Sequence, residues 1–382
     1  MNAIPGKKVP QGAFSGFVPS PLPPSLAWTP RLLNRLSDAD RRIGQLAGEG
    51  GRLPNPHVLI RPFARQEAVL SSRIEGTQAT LGELLAAEAG AEVARRPADL
   101  REVGNYVAAL EHGVLRLREL PICVRLVREL HAKLMAGVAG QPAAPGQFRR
   151  VQNWIGRPGC TAATASFVPP PPDDVEPCLA EWEKFLHASE LPPLVTIALA
   201  NYQFEAIHPF LDGNGRVGRL LITLFLLEKR ILPAPLLYLS AFFDASRRDY
   251  YDGLRGVSER GAWSDWIEHF LLGVARMAED GVRRAGRINA LLDEWQKQVA
   301  HEATKTPFRA VELLGVNPFL TAQGCATQLG VAFTTAQRAI HRLEQLGIVA
   351  QTGTAKRDRV YCAKALLAVL EEPAHLNPAG AA

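Results

Sequence analysis

The stretch AIHPFLDGNGRVGRLLITLFLL, residues 206–227, places a run of small and charged residues between two apolar segments. Its centre, DGNGR at 212–216, contains two glycines and an Asp/Asn pair, which are poor helix formers. The apolar periodicity on either side predicts two buried helices, over 192–208 and from about 216 to 230. The stretch therefore predicts a turn between two packed helices, and its residue types raise the question of what the turn binds.

The residue types of this turn are those of an anion-binding site. The turn lies at the N-terminus of the second helix, where backbone N–H groups lack intrahelical partners and the helix dipole is positive. Gly213 and Gly215 allow neighbouring N–H groups to converge on a phosphate. Arg216 and Arg219 are three residues apart, so both lie on one face of the new helix and can bind phosphate oxygens. We therefore predict a phosphate nest at this turn.

Two further side chains beside the nest indicate a reaction. Asp212 is a hard carboxylate, which beside a bound polyphosphate would hold Mg²⁺. His208 ends the preceding helix and titrates near neutrality, as a general base must. Taken singly, each residue also fits an ordinary helix turn with a core histidine and surface arginines. Together they are the parts needed to transfer a phosphorus-containing group from a nucleotide. Neither the GxxxxGK[ST] phosphate loop nor a Rossmann GxGxxG is present.

Composition places the chain among soluble globular proteins of two or three domains. It has 382 residues, of which 47% are hydrophobic and 21% are charged. The net charge of +5 and the pI near 9.0 favour anionic partners. Five cysteines, odd in number and without CxxC spacing, predict neither a disulfide framework nor a zinc site, which favours a reducing cytoplasm. No apolar run approaches the roughly 20 residues of a membrane span, so no membrane is expected as a partner.

The periodicity of the chain predicts a mainly α-helical protein. Residues 1–26 are rich in Pro and Gly and predict an extended arm on the surface. Thr80 and Glu83 have the spacing of a capping box that starts a helix, and Gly76 fits the C′ position of the helix before it. Further helices are predicted over 28–46, 62–74, 98–118, 123–136, 174–188, 247–257 and 263–298.

One interval has a different character. VQNWIGRPGCTAATASFVPPPP, residues 151–172, has strand-like ends around a Pro-Gly turn and finishes in four prolines. This pattern predicts a β-hairpin followed by a stiff extended segment, and a plain surface loop fits the composition equally well.

The chain after about residue 305 predicts a separate small domain. A helix over 307–314 precedes a second over 321–329, a turn, a third helix over 334–347 and two short β-like runs around a basic turn. This is the order of a winged helix-turn-helix. Residues 305–362 hold seven Lys and Arg against three acids, and the basic residues lie on the third helix and the wing, which favours nucleic-acid binding. The alternative is a helical protein-interaction domain whose basic residues are only solvated.

The turn resembles the defining motif of the Fic (Fido) domain family. HPFLDGNGRVGR, residues 208–219, matches HxFx[DE]GNGRxxR at every defined position. The resemblance extends to residues 148–172, which are similar to the flap that precedes the motif, and to 247–271, which are similar to the helices that follow it. It implies a helical bundle with a β-hairpin flap, and most members with GNGR transfer AMP from ATP to a hydroxyl side chain, releasing pyrophosphate.

The resemblance implies a role for each motif residue. His208 would deprotonate a Tyr, Thr or Ser hydroxyl, and Asp212 would hold Mg²⁺. Phe210 would anchor the loop in the core. The residues implied to bind the phosphates of ATP are Gly213, Asn214, Gly215, Arg216 and Arg219.

Two other groups of residues follow from the same resemblance. The flap would present the target backbone by adding a strand, through Val151, Gln152, Asn153, Trp154 and Ile155. Tyr250 and Tyr251 would line the adenine side, although both fit a core position equally well. Ser258 stands where some relatives have an Asn near the nucleotide.

An upstream segment resembles the inhibitory motif of self-restrained Fic proteins. SSRIEG, from Ser71 through Glu75 to Gly76, has the pattern [ST]xxxE[GN]. Glu75 lies in the last turn of a predicted helix, where a negative charge opposes the dipole by about 0.3–1 kcal/mol unless a cation is near. The resemblance implies that this cation is Arg219, which would then be withheld from the γ-phosphate. The same Glu could position a water that removes AMP.

These observations predict an autoinhibited protein adenylyltransferase, a nucleotidyltransferase that uses ATP and Mg²⁺ and modifies Tyr, Thr or Ser hydroxyls of a target protein and of itself. A homodimer and DNA bound by the winged helix are further expected partners. One alternative is a transcriptional regulator whose Fic domain senses nucleotide. Another is a Fic-type kinase or phosphocholine transferase, although the kinase subgroup has Lys where this chain has Gly215.

The expected domains follow from these assignments. Residues 1–110 form the arm and a helical N-terminal domain with the inhibitory helix, and 111–275 form the Fic core. Residues 276–304 form a connecting helix, and 305–382 form the winged helix.

Overall fold

The fold is described from a computed structural model, for residues 5–52, 57–91, 93, 97–138, 144–353 and 358–374. Most of these residues are helical, as the sequence predicts. In chain order the elements are β1 (Gly6–Gln11), β2 (Phe14–Pro19), α1 (Pro30–Arg52), α2 (His57–Ile74), α3 (Leu81–Glu88), α4 (Pro97–Arg116), α5 (Val124–Leu134), α6 (Pro172–Ala188), α7 (Pro193–Ile207), α8 (Asn214–Glu228), α9 (Ser240–Ala245), α10 (Arg247–Arg260), α11 (Trp263–Gln298), α12 (Thr306–Val316), β3 (Phe319–Thr321), α13 (Ala322–Leu329), α14 (Phe333–Gln345), β4 (Ala350–Thr352), β5 (Val360–Cys362) and α15 (Lys364–Glu371).

Two consecutive helices, α7 and α8, lie at the centre of the bundle. Every residue of α7 except Pro193 and Glu205 is buried. A helix that is apolar on all sides has to be surrounded by protein, and α6, α8, α10 and α11 all pack against it. Helix α8 in turn contacts α2, α4 and α5. The turn between α7 and α8 is therefore held by a rigid scaffold.

The N-terminal segment differs from the extended arm that its composition predicts. Strands β1 and β2 pair antiparallel, with Gly6 opposite Pro19 and Gln11 opposite Phe14. Gly12, in the turn between them, has a φ of +67°, a conformation that glycine adopts without strain. The N–H of Phe17 also donates to the carbonyl of Val168 at 2.8 Å, so the hairpin rests on the segment before α6.

The capping box predicted at the start of α3 is confirmed. The Thr80 side chain accepts from the N–H of Glu83 at 3.1 Å, and the Glu83 carboxylate accepts from the N–H of Thr80 at 2.9 Å. Gly76, two residues after the end of α2, has a φ of +106°, as expected of a C′ glycine. This short segment therefore ends α2 and starts α3.

Two of the expected domain boundaries fall inside continuous helices. The boundary at 110/111 lies within α4, and that at 275/276 lies within α11. Helix α11 packs along α1 and α7 and continues to α12 and α15. A helix of 36 residues shared by several layers leaves no linker at this point.

The C-terminal region has the predicted order of elements and two that the sequence analysis omitted. Strands β3, β5 and β4 form an antiparallel sheet in that order, beside α12, α13 and α14. Strand β3 and helix α15 were not predicted, and neither was α9 in the core. Residues 354–357, most of the basic turn, lie outside the described residues.

Contacts join this C-terminal region to the N-terminal helices. Helix α12 packs against α2, and the Asn317 side chain donates to the carbonyl of Leu85 in α3 at 2.9 Å. The N–H of Gly82 donates to the carboxylate of Glu371 in α15 at 2.9 Å. The C-terminal elements therefore pack directly on the helix that carries Glu75.

Among the described residues, no helix is long and apolar enough to cross a membrane. The five cysteines carry free thiols, and Cys123, Cys325 and Cys362 are buried.

Candidate active site

The turn between α7 and α8 is built on two left-handed residues. His208 caps the C-terminus of α7 with a φ of 49°, and its N–H donates to the carbonyl of Phe204 at 3.0 Å. Gly213 caps the N-terminus of α8 with a φ of 78°. A histidine in this conformation is uncommon and carries a backbone cost, which the surrounding contacts must offset.

Asn214 closes the loop on itself. Its side chain accepts from the N–H of Phe210 at 2.8 Å and donates to the carbonyl of the same residue at 2.8 Å. Phe210 is fully buried, as expected of a loop anchor. Asn214 is itself buried, so its side chain shapes the loop, and its backbone N–H is the group left for the predicted phosphate contact.

His131 supports the loop from α5, at a position for which no site residue was predicted. Its Nδ1 accepts from the N–H of Gly146 at 2.8 Å, which leaves Nε2 to donate to the carbonyl of Asp212 at 3.1 Å. The ring stacks on Phe210 with the ring centroids 3.7 Å apart. Burial lowers the pKa of His131 to about 4, so it is a neutral hydrogen-bonding spacer at pH 7. No sequence motif marks it, because the contact joins residues 81 positions apart.

His208 is held neutral beside the loop. Burial lowers its pKa to about 4, helped by the charge of Arg149, while the carbonyl of Glu205 and the carboxylates of Glu75 and Asp212 act in the opposite direction. Its Nδ1 has no hydrogen-bond partner among the described residues. A neutral imidazole with a free nitrogen is in the protonation state that a general base requires.

Asp212 lies at the mouth of the loop with its side chain 37% exposed. One carboxylate oxygen accepts from the N–H of Gly213 at 2.6 Å, and the other is 3.6 Å from the Arg216 guanidinium. Within the described part of the chain, no cluster of three or more His, Cys, Asp or Glu side chains could hold a metal ion. One exposed carboxylate beside a phosphate nest nevertheless fits Mg²⁺, which commonly binds one or two carboxylates together with substrate phosphates.

Arg216 and Arg219 are both buried in α8 but pair with acids from different helices. Arg216 donates to Glu102 of α4 at 2.7 Å. Arg219 donates to the Glu75 carboxylate at 2.5 Å and, through Nε and Nη2, to the side chain and carbonyl of Ser71, both at 2.9 Å. The inhibitory segment predicted from the sequence therefore reaches the second arginine of the turn.

The charge of Glu75 is stabilised by this contact. Burial alone would raise its pKa, but the charge and hydrogen bond of Arg219 lower it below the usual value. Gly215 makes room for the pair, because a Cβ there would overlap Oε1 of Glu75 and lie 2.9 Å from Nη1 of Arg219. The lack of a side chain at Gly215 thus leaves room for the Glu75 carboxylate, at the position where a phosphate is predicted to bind.

The two tyrosines proposed for the adenine side have different environments. Tyr250 is 1% exposed and packs against Phe243 and Trp266, with centroids 4.5 and 5.8 Å away, so it belongs to the core and does not line an open face. Tyr251 is 44% exposed and keeps its place as a candidate. Ser258 hydrogen-bonds to the hydroxyl of Tyr202 in α7 at 2.9 Å.

The flap is a loop closed by one pair of backbone hydrogen bonds, shorter than the predicted hairpin. Ile155 and Phe167 exchange both bonds, at 2.8 and 3.1 Å, and no further strand pairs extend this bridge. Val151 and Trp154 are exposed at 58% and 43%. Asn153 points inward and donates to the carbonyl of Phe210 at 2.9 Å.

Two family profiles match this architecture. The profile "Fic/DOC family N-terminal" matches residues 33–115, and "Fic/DOC family" matches residues 121–226, which include the loop and both flanking helices. The chain therefore contains a Fic domain preceded by a Fic N-terminal region. The predicted resemblance to this family is confirmed.

Solved structures of Fic proteins share the fold. A Fic family protein from Desulfovibrio desulfuricans G20 superposes with a TM-score of 0.60 at 23% identity, over 90% of this chain and 98% of that one. Fic-1 from C. elegans gives 0.52 at 22% identity, over 68% of this chain and 75% of that one. These likenesses establish the fold alone.

Curated Fic proteins are similar over a shorter region. Protein adenylyltransferase Fic of Drosophila erecta is 35% identical over 115 residues, and that of Drosophila melanogaster is 34% identical over the same length. In both cases the match covers 29% of this chain and 21% of the relative. The chain thus spans about one fifth of the length of the curated relatives it matches.

Proposed function

We propose that this Fic protein is a protein adenylyltransferase, a nucleotidyltransferase that transfers AMP from ATP to Tyr, Thr or Ser hydroxyls of a target protein and of itself. The observation that carries the proposal is the neutral His208 at a left-handed turn, four residues before a nest that opens at the N-terminus of α8. The names of the Drosophila relatives support the same reaction class.

In this mechanism His208 takes the proton of the target hydroxyl as its oxygen attacks the α-phosphorus of ATP. The new P–O bond forms as the bond to the β-phosphate oxygen breaks, and pyrophosphate leaves. The backbone N–H groups from Gly213 to Gly215, with the guanidinium of Arg219 once it is released, neutralise the phosphates. Asp212 would hold Mg²⁺, which shields the charge of the phosphates when it is bound.

Glu75 acts as a brake in this proposal. With its carboxylate on Arg219, the cation that would meet the γ-phosphate is already neutralised. ATP that binds in this state lacks the Arg219 contact to its γ-phosphate, so its α-phosphorus is not held for attack. The position of Glu75 also suits activation of a water that removes AMP, which makes the reverse reaction a secondary proposal.

The target protein would dock along the flap. Val151 and Trp154 present exposed apolar side chains there, while Gln152 and Asn153 are tied inward to the carbonyls of Pro169 and Phe210. A target segment that pairs with this backbone would bring its hydroxyl beside His208 with little dependence on sequence.

We further propose DNA binding through a winged helix in the C-terminal region as a second function. The exposed face of α14 carries Gln337, Arg338 and His341, side chains that can reach base edges or phosphates. A nucleotide-sensing regulator would bind DNA and leave ATP unchanged. A gel-shift assay with genomic fragments, set beside ATP turnover, separates the two functions.

Labelling with ATP tests the enzymatic proposal. The variant Glu75→Gly, incubated with labelled ATP, Mg²⁺ and cell lysate, is expected to label itself and a target more strongly than the parent does. His208→Ala in the same background is expected to abolish labelling, because no base remains. Glu75→Gln, which loses the charge and keeps the size, should release the brake in part, while Glu312→Gln on the exposed face of α12 is the matched control.

The mass of the modified protein identifies the chemistry. An added adenylyl group supports the proposal, whereas an added phosphoryl or phosphocholine group would assign the chain to one of the alternative Fic transferases. Equal labelling by the parent, Glu75→Gly and Glu75→Gly/His208→Ala would rule out both the proposed base and the proposed brake.

A further inference from the structure

Arg149, on the segment before the flap, is a buried cation bound to the end of α7. It is 4% exposed. Its Nε donates to the carbonyl of His208 at 2.9 Å, and its Nη2 approaches the carbonyl of Ile207 at 3.4 Å. Its backbone N–H donates to the carbonyl of Pro209 at 2.9 Å. Three consecutive carbonyls around the left-handed histidine are therefore bound by this one residue.

The same guanidinium binds both ends of the flap. Nη2 donates to the carbonyl of Pro170, at the C-terminal end of the flap, at 2.5 Å. Nη1 approaches the carbonyl of Val151, where the flap begins, at 3.5 Å. A planar guanidinium with five N–H donors can bind acceptors in several directions at once, which a lysine ammonium cannot do with the same geometry.

No hydrogen bond of Arg149 within the described residues goes to a carboxylate. Its charge is compensated by carbonyl dipoles and by the negative end of the α7 dipole, where a cation is favoured. Burial lowers its pKa to about 10, which leaves it charged at neutral pH. A buried charge without a counter-ion destabilises a fold. We therefore expect Arg149 to have a role that a neutral side chain could not fill.

We propose that Arg149 is a positioning residue for the transfer reaction, which fixes the left-handed turn of His208 and ties that turn to both ends of the flap. The proposal rests on the proposed function, because it treats His208 as the base and the flap as the surface where the target docks. A hydroxyl presented by the flap and the imidazole that takes its proton then share one rigid support. Such a geometry matters because a displacement of about 1 Å can cost about 100-fold in rate.

Arg149 also influences the protonation of the base. The charged groups that face His208 are Arg149 before the flap, Glu75 at the end of α2 and Asp212 in the loop. The two carboxylates favour the imidazolium and so raise the pKa of His208, whereas the positive charge of Arg149 lowers it. Loss of the Arg149 charge therefore raises the pKa of His208 and moves the acid limb of the rate profile to higher pH.

Three variants in the Glu75→Gly background test the proposal. Arg149→Met removes the charge and the donors, and Arg149→Lys keeps the charge but loses the planar fork. Arg150→Met, at the exposed neighbour, is the matched control. For each variant, kcat and KM for ATP are measured across pH, and the His208 imidazole is titrated by NMR without nucleotide or Mg²⁺.

Arg149→Met is expected to lower kcat by about 100-fold, to leave KM for ATP unchanged and to raise the imidazole pKa. Arg149→Lys is expected to lower kcat while keeping the imidazole pKa of the background, and it carries the test if Arg149→Met does not fold. Unchanged kcat in Arg149→Lys, or a kcat loss matched by Arg150→Met, would overturn the proposal.

The two proposals fail in different ways. If the Glu75→Gly background itself transfers no AMP, the proposed function fails. The NMR titration of His208 and the hydrogen exchange of the flap amides at 151–170 then test the positioning role of Arg149 without any measurement of AMP transfer. If Arg149→Met raises the pKa of the His208 imidazole and speeds hydrogen exchange of the flap amides, Arg149 does hold the His208 turn and the flap together. If neither quantity changes, the proposal is overturned.

Discussion

Glu67 is a buried carboxyl group one helical turn before Ser71 on the inhibitory helix. It accepts from the N–H of Ser240 at 3.0 Å, from the hydroxyl of the same residue at 2.5 Å and from Tyr106 at 3.3 Å. Burial raises its pKa to about 7, although these hydrogen bonds and the charge of Arg219 oppose the shift. A folded-state pKa above the ordinary 4.5 means that the protonated form stabilises the fold.

We expect this group to make stability depend on pH. Its contribution is fully present below pH 4.5 and is lost as pH rises through about 7, because the unfolded chain releases the proton first. Glu67→Gln should remove up to about 1.4 kcal/mol per pH unit of this slope, as measured by urea unfolding from pH 4.5 to 7.5. Glu205, whose pKa burial also raises to about 7, leaves a residual slope. An unchanged slope in Glu67→Gln would contradict the assignment, and Glu312→Gln is the exposed control.

At the scale of elements, the segment between α2 and α3 keeps the inhibitory helix at a fixed length. Glu75 must lie at the end of α2 to reach Arg219, so the chain has to leave the helix directly afterwards. Gly76 provides the left-handed exit, and Thr80 then starts α3 through its capping box. The proposed brake therefore depends on where α2 ends as well as on the charge of Glu75.

Thr80→Ala is expected to destabilise the protein by about 1 kcal/mol, because the N–H of Glu83 loses its side-chain acceptor. Chemical denaturation measures the change, and Thr304→Ala, an exposed threonine without a cap, is the matched control. Thr80→Ser retains the hydroxyl and should keep most of the stability. A loss in Thr80→Ser equal to that in Thr80→Ala would show that the cap is not the cause.

At the scale of the whole molecule, Arg284 joins the bundle to the C-terminal region. Buried in α11, it donates to Asp280 at 2.6 Å and to the carbonyls of Val369 and Glu372, both at 2.5 Å. Asp280 also accepts from the hydroxyl of Tyr238 at 2.5 Å, just before α9. Arg284 thus connects α11 directly with the C-terminal residues at α15 and, through Asp280, with Tyr238 before α9.

Arg284→Met is expected to cost about 3 kcal/mol or more, because the buried Asp280 loses its main counter-charge. Arg287→Met, whose half-exposed guanidinium pairs with Glu372, should cost about 1 kcal/mol or less. Thermal and urea unfolding give both values. Asp280→Asn added to Arg284→Met should recover part of the loss, and additive losses would argue against the pair.

Local chemistry made much of this architecture predictable. The predicted ends of α7, α10 and α11 lie within three residues of the observed ones, because Pro, Gly and apolar periodicity act over a few residues. The hairpin β1–β2, helix α9 and helix α15 were not predicted. The hairpin β1–β2 contacts a distant part of the chain, through the hydrogen bond from Phe17 to the carbonyl of Val168. Helices α9 and α15 have only six and eight residues, and helices this short are stable only when packed against other elements.

The sequence by itself determined the α7–α8 turn with its two glycines and supplied the residue types for transfer from a nucleotide, since all of these follow from spacing within a dozen residues. Only the tertiary structure decided that Arg216 pairs with Glu102 and that Arg149 binds the carbonyl of His208, and only it shows the contact between Arg219 and Glu75 that the resemblance implied. The arginine–glutamate pairs join residues 114 and 144 positions apart. Their existence depends on how helices pack, because desolvated charges need partners and only the folded core determines which partners are within reach.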